Sequence, residues 1–352
     1  MKEFIIKENE AGQRFDKYLA KLMKEAPKSF FYKMLRKKNI TLNGKKASGS
    51  EKLSVGDQVK LFLADETFQK FSGSAETVEA APGRELDIIY EDKDILLINK
   101  PAGVLSQPDG SGEPSLVEFV TGYLLETGAV TEEELKTFRP SVCNRLDRNT
   151  SGIVAAGKTL PGLQTLSELF RDRSVHKDYL ALAEGVLEHE KHIKGYLHKN
   201  TKSNKVSVYE SKREGSLPIE TVYTPLGSSG RATLLKIRLI TGRSHQIRAH
   251  LAAEGHPLMG DWKYGNESFN RFCRDRYHLK HQLLHGYSLT FPELSGRFEG
   301  LSGRSFYGEP PQIFRYILKE EHLEESYYEY LERNMGLCKT DHHCDRSSTC
   351  SQ

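Results

Sequence analysis

The chain has 352 residues, enough for two or three domains, and its 37% hydrophobic and 9% aromatic content is ordinary for a globular protein. With 51 Lys and Arg against 48 Asp and Glu, the net charge is only +3, which excludes a global basic field as the means of holding a polyanion. No apolar stretch approaches the ~20 residues of a membrane span, and MKEFIIKENEAGQ lacks the apolar core of a secretory leader. The five cysteines, Cys143, Cys273, Cys338, Cys344 and Cys350, are dispersed without a CxxC pair, which argues against a disulfide framework and for a reducing compartment. The chain reads as cytoplasmic.

Residues 1–67 form a small basic unit. Between 21 and 40 there are seven Lys or Arg and one acid, Glu25, so basic charge is concentrated here although the whole chain is nearly neutral. Phe15, Leu19 and Leu22 recur at helical spacing, and Ser29 is a candidate cap for a second helix carrying Lys33, Arg36, Lys37 and Lys38. Ile40-Thr41-Leu42 then runs into an Asn43-Gly44 turn, and Val59, Leu61 and Leu63 alternate after Gly56-Asp57. Residues 68–84, rich in Ser, Gly, Ala, Glu and Lys, read as a linker.

From 85 to 318 strand signals dominate. Asp87–Tyr90 and Ile95–Asn99 resemble a hairpin around an acidic turn. Leu116, Val117, Val120, Leu124 and Leu125 share a helix face that Ser115 can cap. Gly152–Ala156, Tyr179–Val186, Thr233–Ile240 and Gln282–Phe291 read as strands, and His245–Ala253 as a helix. The expected class is α+β, with a mixed, largely antiparallel sheet and helices on its faces, behind a small α+β module. Residues 319–352 read as a helix and a polar tail.

Three segments suggest chemistry. In Asn144-Arg145-Leu146-Asp147-Arg148-Asn149-Thr150-Ser151-Gly152, an aspartate stands between two arginines ahead of an apolar strand. Flanking cations favour the carboxylate that a nucleophile or base requires; from pattern alone a loop with a surface salt bridge is the better explanation. Thr241-Gly242-Arg243-Ser244-His245-Gln246-Ile247-Arg248-Ala249-His250 opens a helix at a Gly turn, with Thr241 or Ser244 as cap. Helix amides and Arg243 suit a phosphate, and Arg248 can point inward at a carboxylate. His245 and His250 lie about 140° apart on a helix, unlike a one-face metal pair, so no metal site is expected. His176-Lys177-Asp178-Tyr179-Leu180-Ala181-Leu182 puts a tyrosine in an apolar strand, as core or as a ring for stacking on a base.

Taken together and in this order, R-L-D-R-x-T-S-G, K-x-Y-x-A-L and T-G-R-S-H-Q-I-R-x-H resemble the RluA-like family of pseudouridine synthases; Asn99-Lys100-Pro101-Ala102-Gly103 and Leu284-His285 also fit. The likeness covers residues 85–295. The module at 12–67 is similar, more loosely, to the alpha-L RNA-binding domain. The resemblance implies that Asp147 is the nucleophile, that Tyr179 stacks on the target uracil, that Arg248 pairs with Asp147, and that Arg145 opens the RNA around a flipped nucleotide. Asn144 departs from the pattern, since many members carry histidine there.

The implied reaction detaches uracil from ribose, rotates it and rejoins it through carbon. It calls for no cofactor and no metal. One carboxylate suffices, by attack on the ribose or the uracil or by assisting elimination to a glycal. The base must first leave its stack, at a cost of a few kcal/mol, so structured RNA with partly unstacked loops is the expected partner. Ribosomal RNA is the first expectation and transfer RNA the second, with the protein acting as a monomer. Two rivals stand beside this reading: an RNA-binding assembly factor without catalysis, and a hydrolase that releases the base, for which no second carboxylate stands out. The spacing of Cys338, His342, His343, Cys344 and Cys350 matches no common zinc site.

Overall fold

The computed structural model describes residues 1–72, 85–200 and 205–335. It comprises two compact units, Met1–Arg148 with Ile153–Ser174, and Asn149–Gly152 with Val175–Gln352.

The first unit opens with β1 (Lys2–Ile5), α1 (Phe15–Leu22), α2 (Lys28–Arg36), β2 (Ile40–Leu42), β3 (Lys45–Lys46), β4 (Gln58–Leu61) and α3 (Asp65–Ser72). The strands pair antiparallel in the order β1-β4-β2-β3. Asn43 and Gly44 carry φ of 52° and 71°, the two left-handed residues that a tight hairpin between β2 and β3 requires. Phe15, Tyr18, Leu19, Phe31, Leu35, Ile40, Val59 and Leu61 form the buried core between helices and sheet. Ser29 does not cap α2: the helix starts one residue earlier, with Pro27 in the cap position and no side-chain cap. Residues 68–72, expected to open a linker, instead finish α3. Phe68 stacks on Phe4 with ring centroids 6.1 Å apart, and Phe71 meets Phe30 at 4.6 Å. Two aromatic anchors in an otherwise polar run hold this helix without any sustained apolar period. The rest of that expected linker, 73–84, lies outside the described residues.

The unit continues with β5 (Ile88–Glu91), β6 (Ile95–Lys100), α4 (Leu116–Glu126), α5 (Glu132–Leu135), β7 (Ser141–Val142), β8 (Ser151–Gly157) and α6 (Leu160–Arg171). β5 and β6 form the expected hairpin, closed by Asp92 Oδ1 accepting from the amides of Asp94 and Ile95 at 2.7 and 2.8 Å. Ser115 caps α4 in a capping box with Glu118. The N-terminal module meets this part through Glu10, a buried acid that accepts from Thr137 Oγ1 at 2.6 Å and from the Lys7 amide at 3.0 Å, and through Lys93 and Glu8 at 2.6 Å.

The second unit contains β9 (His176–Glu184), β10 (Lys191–Asn200), β11 (Lys205–Tyr209), β12 (Leu217–Ser228), β13 (Ala232–Leu239), α7 (Gln246–Ala253), α8 (Glu267–Tyr277), β14 (Leu284–Thr290), β15 (Ser305–Tyr307), α9 (Gln312–Glu320) and α10 (Glu324–Met335). Its strands run in the order β11-β10-β12-β13-β9-β14, all antiparallel, with β15 on β14. Ser151 and Gly152 of β8 pair with His285 and Gly286 in parallel, which makes the sheet mixed. The α+β class is as expected. The boundary drawn at 318/319 falls inside α9, because the core runs on through it: Phe314, Ile317, Leu318, Leu323, Tyr327, Tyr330 and Leu331 pack with Leu180, Leu182 and Tyr287. The tail cysteines and histidines from 338 onward lie outside the described residues.

Candidate active site

The backbone on both sides of Asp147 is pinned. Ser106 Oγ accepts from the Leu146 amide at 3.0 Å and donates to the Leu146 carbonyl at 2.9 Å. On the other side, the Arg148 carbonyl accepts from Lys100 Nζ at 3.1 Å and from the Gly103 amide at 2.9 Å. Lys100, fully buried, also donates to the carbonyls of Pro101 and Val104 at 2.9 and 2.8 Å. A buried ammonium satisfied by carbonyls ties the Lys100–Val104 turn to the aspartate loop. Asn144 clips the loop to β8: its amide donates to the Ile153 carbonyl at 3.1 Å and accepts from the Ala155 amide at 2.8 Å. The departure from histidine at this position is therefore occupied by a structural hydrogen bonder.

Asp147 itself is half-buried and Arg145 exposed. Arg148, expected to help keep Asp147 ionised, is engaged elsewhere: it binds Glu113 and donates through Nε to the Gly103 carbonyl at 3.2 Å. Burial pushes the thiol of Cys143 up to about 11 and that of Cys273 up to about 12, so neither offers a thiolate nucleophile near neutral pH.

In the second unit, Thr150 accepts from Gln282 Nε2 at 3.2 Å, and Ser151 Oγ lies 2.9 Å from His285 Nδ1. The other ring nitrogen of His285 lies 2.9 Å from the Gly308 carbonyl, so Nε2 carries the proton and Ser151 donates to Nδ1. Burial pushes this histidine down to about 4, which keeps it neutral. Gly152 has φ of +122°, and a Cβ there would lie 2.3–2.5 Å from the Gly286 backbone. The motif thus needs glycine because two strands meet there without room for a side chain.

Gly286 pairs with Gly152 on one side and with Tyr179 on the other. Tyr179 is therefore level with the end of the aspartate motif, two strand spacings or about 10 Å away. It is 8% exposed and lies on β9, opposite Ile237 of β13. Beside it, Asp178 takes Arg238 at 3.2 Å and Lys236 at 3.5 Å. The Gly242 turn comes to the start of the same strand, since a Cβ on Gly242 would sit 3.6 Å from Lys177 Nζ.

Neither Thr241 nor Ser244 caps α7; His245 occupies the cap position with φ of 55° and no side-chain cap. Gln246 takes over. Its Oε1 accepts from the Arg243 amide at 3.1 Å and from Thr241 Oγ1 at 2.8 Å, while its Nε2 donates to the Glu220 carbonyl and Thr221 Oγ1 at 3.0 Å each. Thr221 Oγ1 lies 3.1 Å from His250 Nδ1, and burial holds His250 neutral, down to about 4. His245 Nδ1 lies 2.7 Å from Tyr264 Oη. Arg243 Nε is buried and has no hydrogen-bond partner among the described residues, an arrangement that suits an arriving anionic group.

Arg248, expected to pair with Asp147, gives Nε and Nη2 to Asp261 at 2.7 and 2.8 Å. Asp261 is fully buried and also accepts from the amides of Lys263 and Tyr264, while the guanidinium lies 5.2 Å from the Tyr264 ring. Asp147 and Arg248 belong to different units. The sequence reading missed Asp261, and nothing local marks a carboxylate 13 residues downstream as a partner. Lys100, Ser106 and Gln246 were also missed as positioning groups, although Lys100 and Gln246 stand inside quoted motifs. Lys33, Arg36, Lys37 and Lys38 are all exposed, on the side of α2 away from the buried Phe31, Met34 and Leu35 and in the turn that follows.

Residues 94–253 match the family model described as RNA pseudouridylate synthase, and residues 13–59 match that of the S4 domain. A ribosomal large subunit pseudouridine synthase C of Pasteurella multocida is 34% identical over 297 residues, 83% of this chain and 86% of that one. The protein of the same name in Escherichia coli is 33% identical over 293 residues, 80% and 86% of the two chains. The solved structure of human RNA pseudouridylate synthase domain containing 4 covers 67% of this chain and 92% of its own, at 21% identity and a TM-score of 0.54, a likeness of fold. The chain belongs to the RNA pseudouridylate synthase family. Among the described residues, no helix is long and apolar enough to cross a membrane.

Proposed function

We propose that this protein converts uridine to pseudouridine in large-subunit ribosomal RNA, with Asp147 as the nucleophile. The pinned backbone around Asp147 carries the reading: Leu146 and Arg148 are both fixed by the buried side chains of Ser106 and Lys100, which holds the residue between them in place. Tyr179 receives the uracil ring, and Arg248, oriented by Asp261, supplies the guanidinium that keeps the nucleophile ionised. Arg243 binds a phosphate beside the target, and Arg145 braces the helix from which the base has left. In the reaction the bond from N1 to C1′ breaks, the bond from C5 to C1′ forms, C5 loses its proton, and N1 ends protonated, so the RNA mass is unchanged.

The S4 match and the names of the relatives support ribosomal RNA over transfer RNA as the substrate. Lys33, Arg36, Lys37 and Lys38 hold its phosphates. Residues 1–72 serve as the RNA-binding domain, and the chain from 85 through α10 as the catalytic domain, of a monomer that works in the cytoplasm. The test is to incubate unmodified large-subunit ribosomal RNA transcript with the protein and map pseudouridine by carbodiimide labelling. Discrete new marks support the reading. Marks on transfer RNA alone redirect the substrate, and loss of base with a matching fall in mass makes the enzyme a hydrolase.

A further inference from the structure

We infer that the outward face of the β10–β11 hairpin is a second RNA-contact surface, gripping sugar–phosphate backbone with its cations and stacking a base on its tyrosines. This rests on the reading above that the substrate is RNA. Residues 191–213 hold seven Lys or Arg and one acid, Glu210, in a chain whose total balance is 51 to 48. Two histidines, His192 and His198, add to them. The imbalance equals that of residues 21–40 in the N-terminal module.

The strands sort these groups by face. Ile193 and Leu197 are buried, while His192, Lys194, His198 and Asn200 are exposed on the opposite side of β10. On β11, Lys205 stands opposite Asn200 and Ser207 opposite His198, both exposed. Tyr196 and Tyr209 are direct cross-strand partners and half-exposed, and the Arg213 guanidinium sits 3.8 Å from the Tyr209 ring centroid. Among the described residues β11 ends the strand order. Glu220 of β12 takes Lys194 at 3.1 Å and His192 at 2.6 Å, and Lys191 pairs with Glu254. Those acids engage one end of the hairpin. Lys212 and Arg213 are exposed and have no ion pair among the described residues, whereas Lys199 alternates with His198 and Asn200 and faces the other way.

Ring pairs with a stacked guanidinium, set among cations, suit a base and its phosphates, because every base offers a π-face and every linkage a charge. A protein partner fits less well: interface cores are depleted in lysine, and this face offers no apolar centre.

The experiment titrates the full-length protein against a fluorescently labelled fragment of unmodified large-subunit ribosomal RNA transcript, by anisotropy over a series of salt concentrations. The triple variant Lys205→Ala, Lys212→Ala, Arg213→Ala is compared with a control that loses three exposed cations elsewhere, Lys136→Ala, Arg171→Ala, Lys319→Ala. The expected result is binding about tenfold or more weaker at low salt, and a log–log salt slope shallower by about 2 to 3, in the first variant only. Tyr209→Leu weakens binding without moving the slope. The charge-conserving variant Lys205→Arg, Lys212→Arg, Arg213→Lys keeps the slope, which separates lost charge from a disturbed fold. Equal affinity and slope in the first triple variant and the control overturn the inference. Pseudouridine formation is read separately on the same RNA: no product with hairpin-dependent binding defeats the functional reading alone, and normal product with hairpin-independent binding defeats this inference alone.

Discussion

The buried pair of Arg248 and Asp261 shows how much of this site is positioning. A guanidinium 7% exposed has two of its nitrogens on a carboxylate that is fully buried and held by two further amides. Removing the acid strips a buried guanidinium of the carboxylate that takes two of its nitrogens, so Asp261→Ala should cost about 3–5 kcal/mol in urea unfolding. A midpoint within experimental scatter of the unchanged protein contradicts that. His250 and His285 give a second prediction at this scale. Burial lowers both from an ordinary 6.5 to about 4. In the unfolded chain they take up protons as the pH falls through 6.5, and in the folded chain they do not. Their contribution is therefore complete above pH 6.5 and is lost as the pH falls toward 4, by up to about 3 kcal/mol each. Urea midpoints should drop between pH 7 and pH 5, and His285→Gln should flatten part of that fall. An unchanged slope in that variant counts against a neutral buried His285.

At the level of elements, the meeting of β8 and β14 sets the distance between Gly152 and Tyr179. Gly152 and Gly286 face one another where a single added carbon would lie 2.3 Å from a carbonyl oxygen, at a φ that side chains avoid. Gly152→Ala should therefore destabilise the fold by about 3 kcal/mol or more, or leave it insoluble; an alanine variant of ordinary thermal stability contradicts the close approach. This glycine was visible in the sequence as part of a motif, but the strand it meets was not. The same holds elsewhere. Alternation and turn residues made β2, β4, β5, β6, β8 and β13 readable, because each has one consistently apolar face or run and a Gly or Asp turn beside it. β10, β11 and β12 escaped: on β10, Ile193, Gly195 and Leu197 are a thin inward row, and His192, Lys194, Tyr196, His198 and Asn200 make the outward one polar. Helix caps were readable at Ser115, where the box is local, and misleading at Ser29 and Ser244, where Pro27 and His245 hold the cap positions without any side-chain cap. The partners of Arg248 and Asn144 come from folding and leave no local mark.

For the molecule as a whole, Glu10 ties the N-terminal module to the part of the chain that carries Asp147. Its carboxylate is 8% exposed, accepts from Thr137 at 2.6 Å, and is flanked by the exposed pair of Glu8 and Lys93. The exposed pair adds little, whereas losing the buried carboxylate removes its short bond from Thr137, whose hydroxyl keeps only the longer contact to the Glu134 carbonyl at 3.2 Å. Glu10→Ala should cost about 1–3 kcal/mol and raise hydrogen exchange across residues 1–67 while β8 stays protected. Uniform exchange in both regions contradicts a joint at this residue. Such a joint fixes the exposed cations of α2 relative to the aspartate loop, as expected if both engage one folded RNA.

The central claim is that Asp147 performs the isomerisation. The most direct measurement uses ribosomal RNA tritiated at uracil C5, since the new bond from C5 to C1′ expels that hydrogen to water. Under single-turnover conditions the unchanged protein should release tritium to a plateau, and Asp147→Asn should bind the RNA with the same affinity yet release it at least on the order of 10⁴-fold more slowly. Release at an undiminished rate by Asp147→Asn would contradict the assignment.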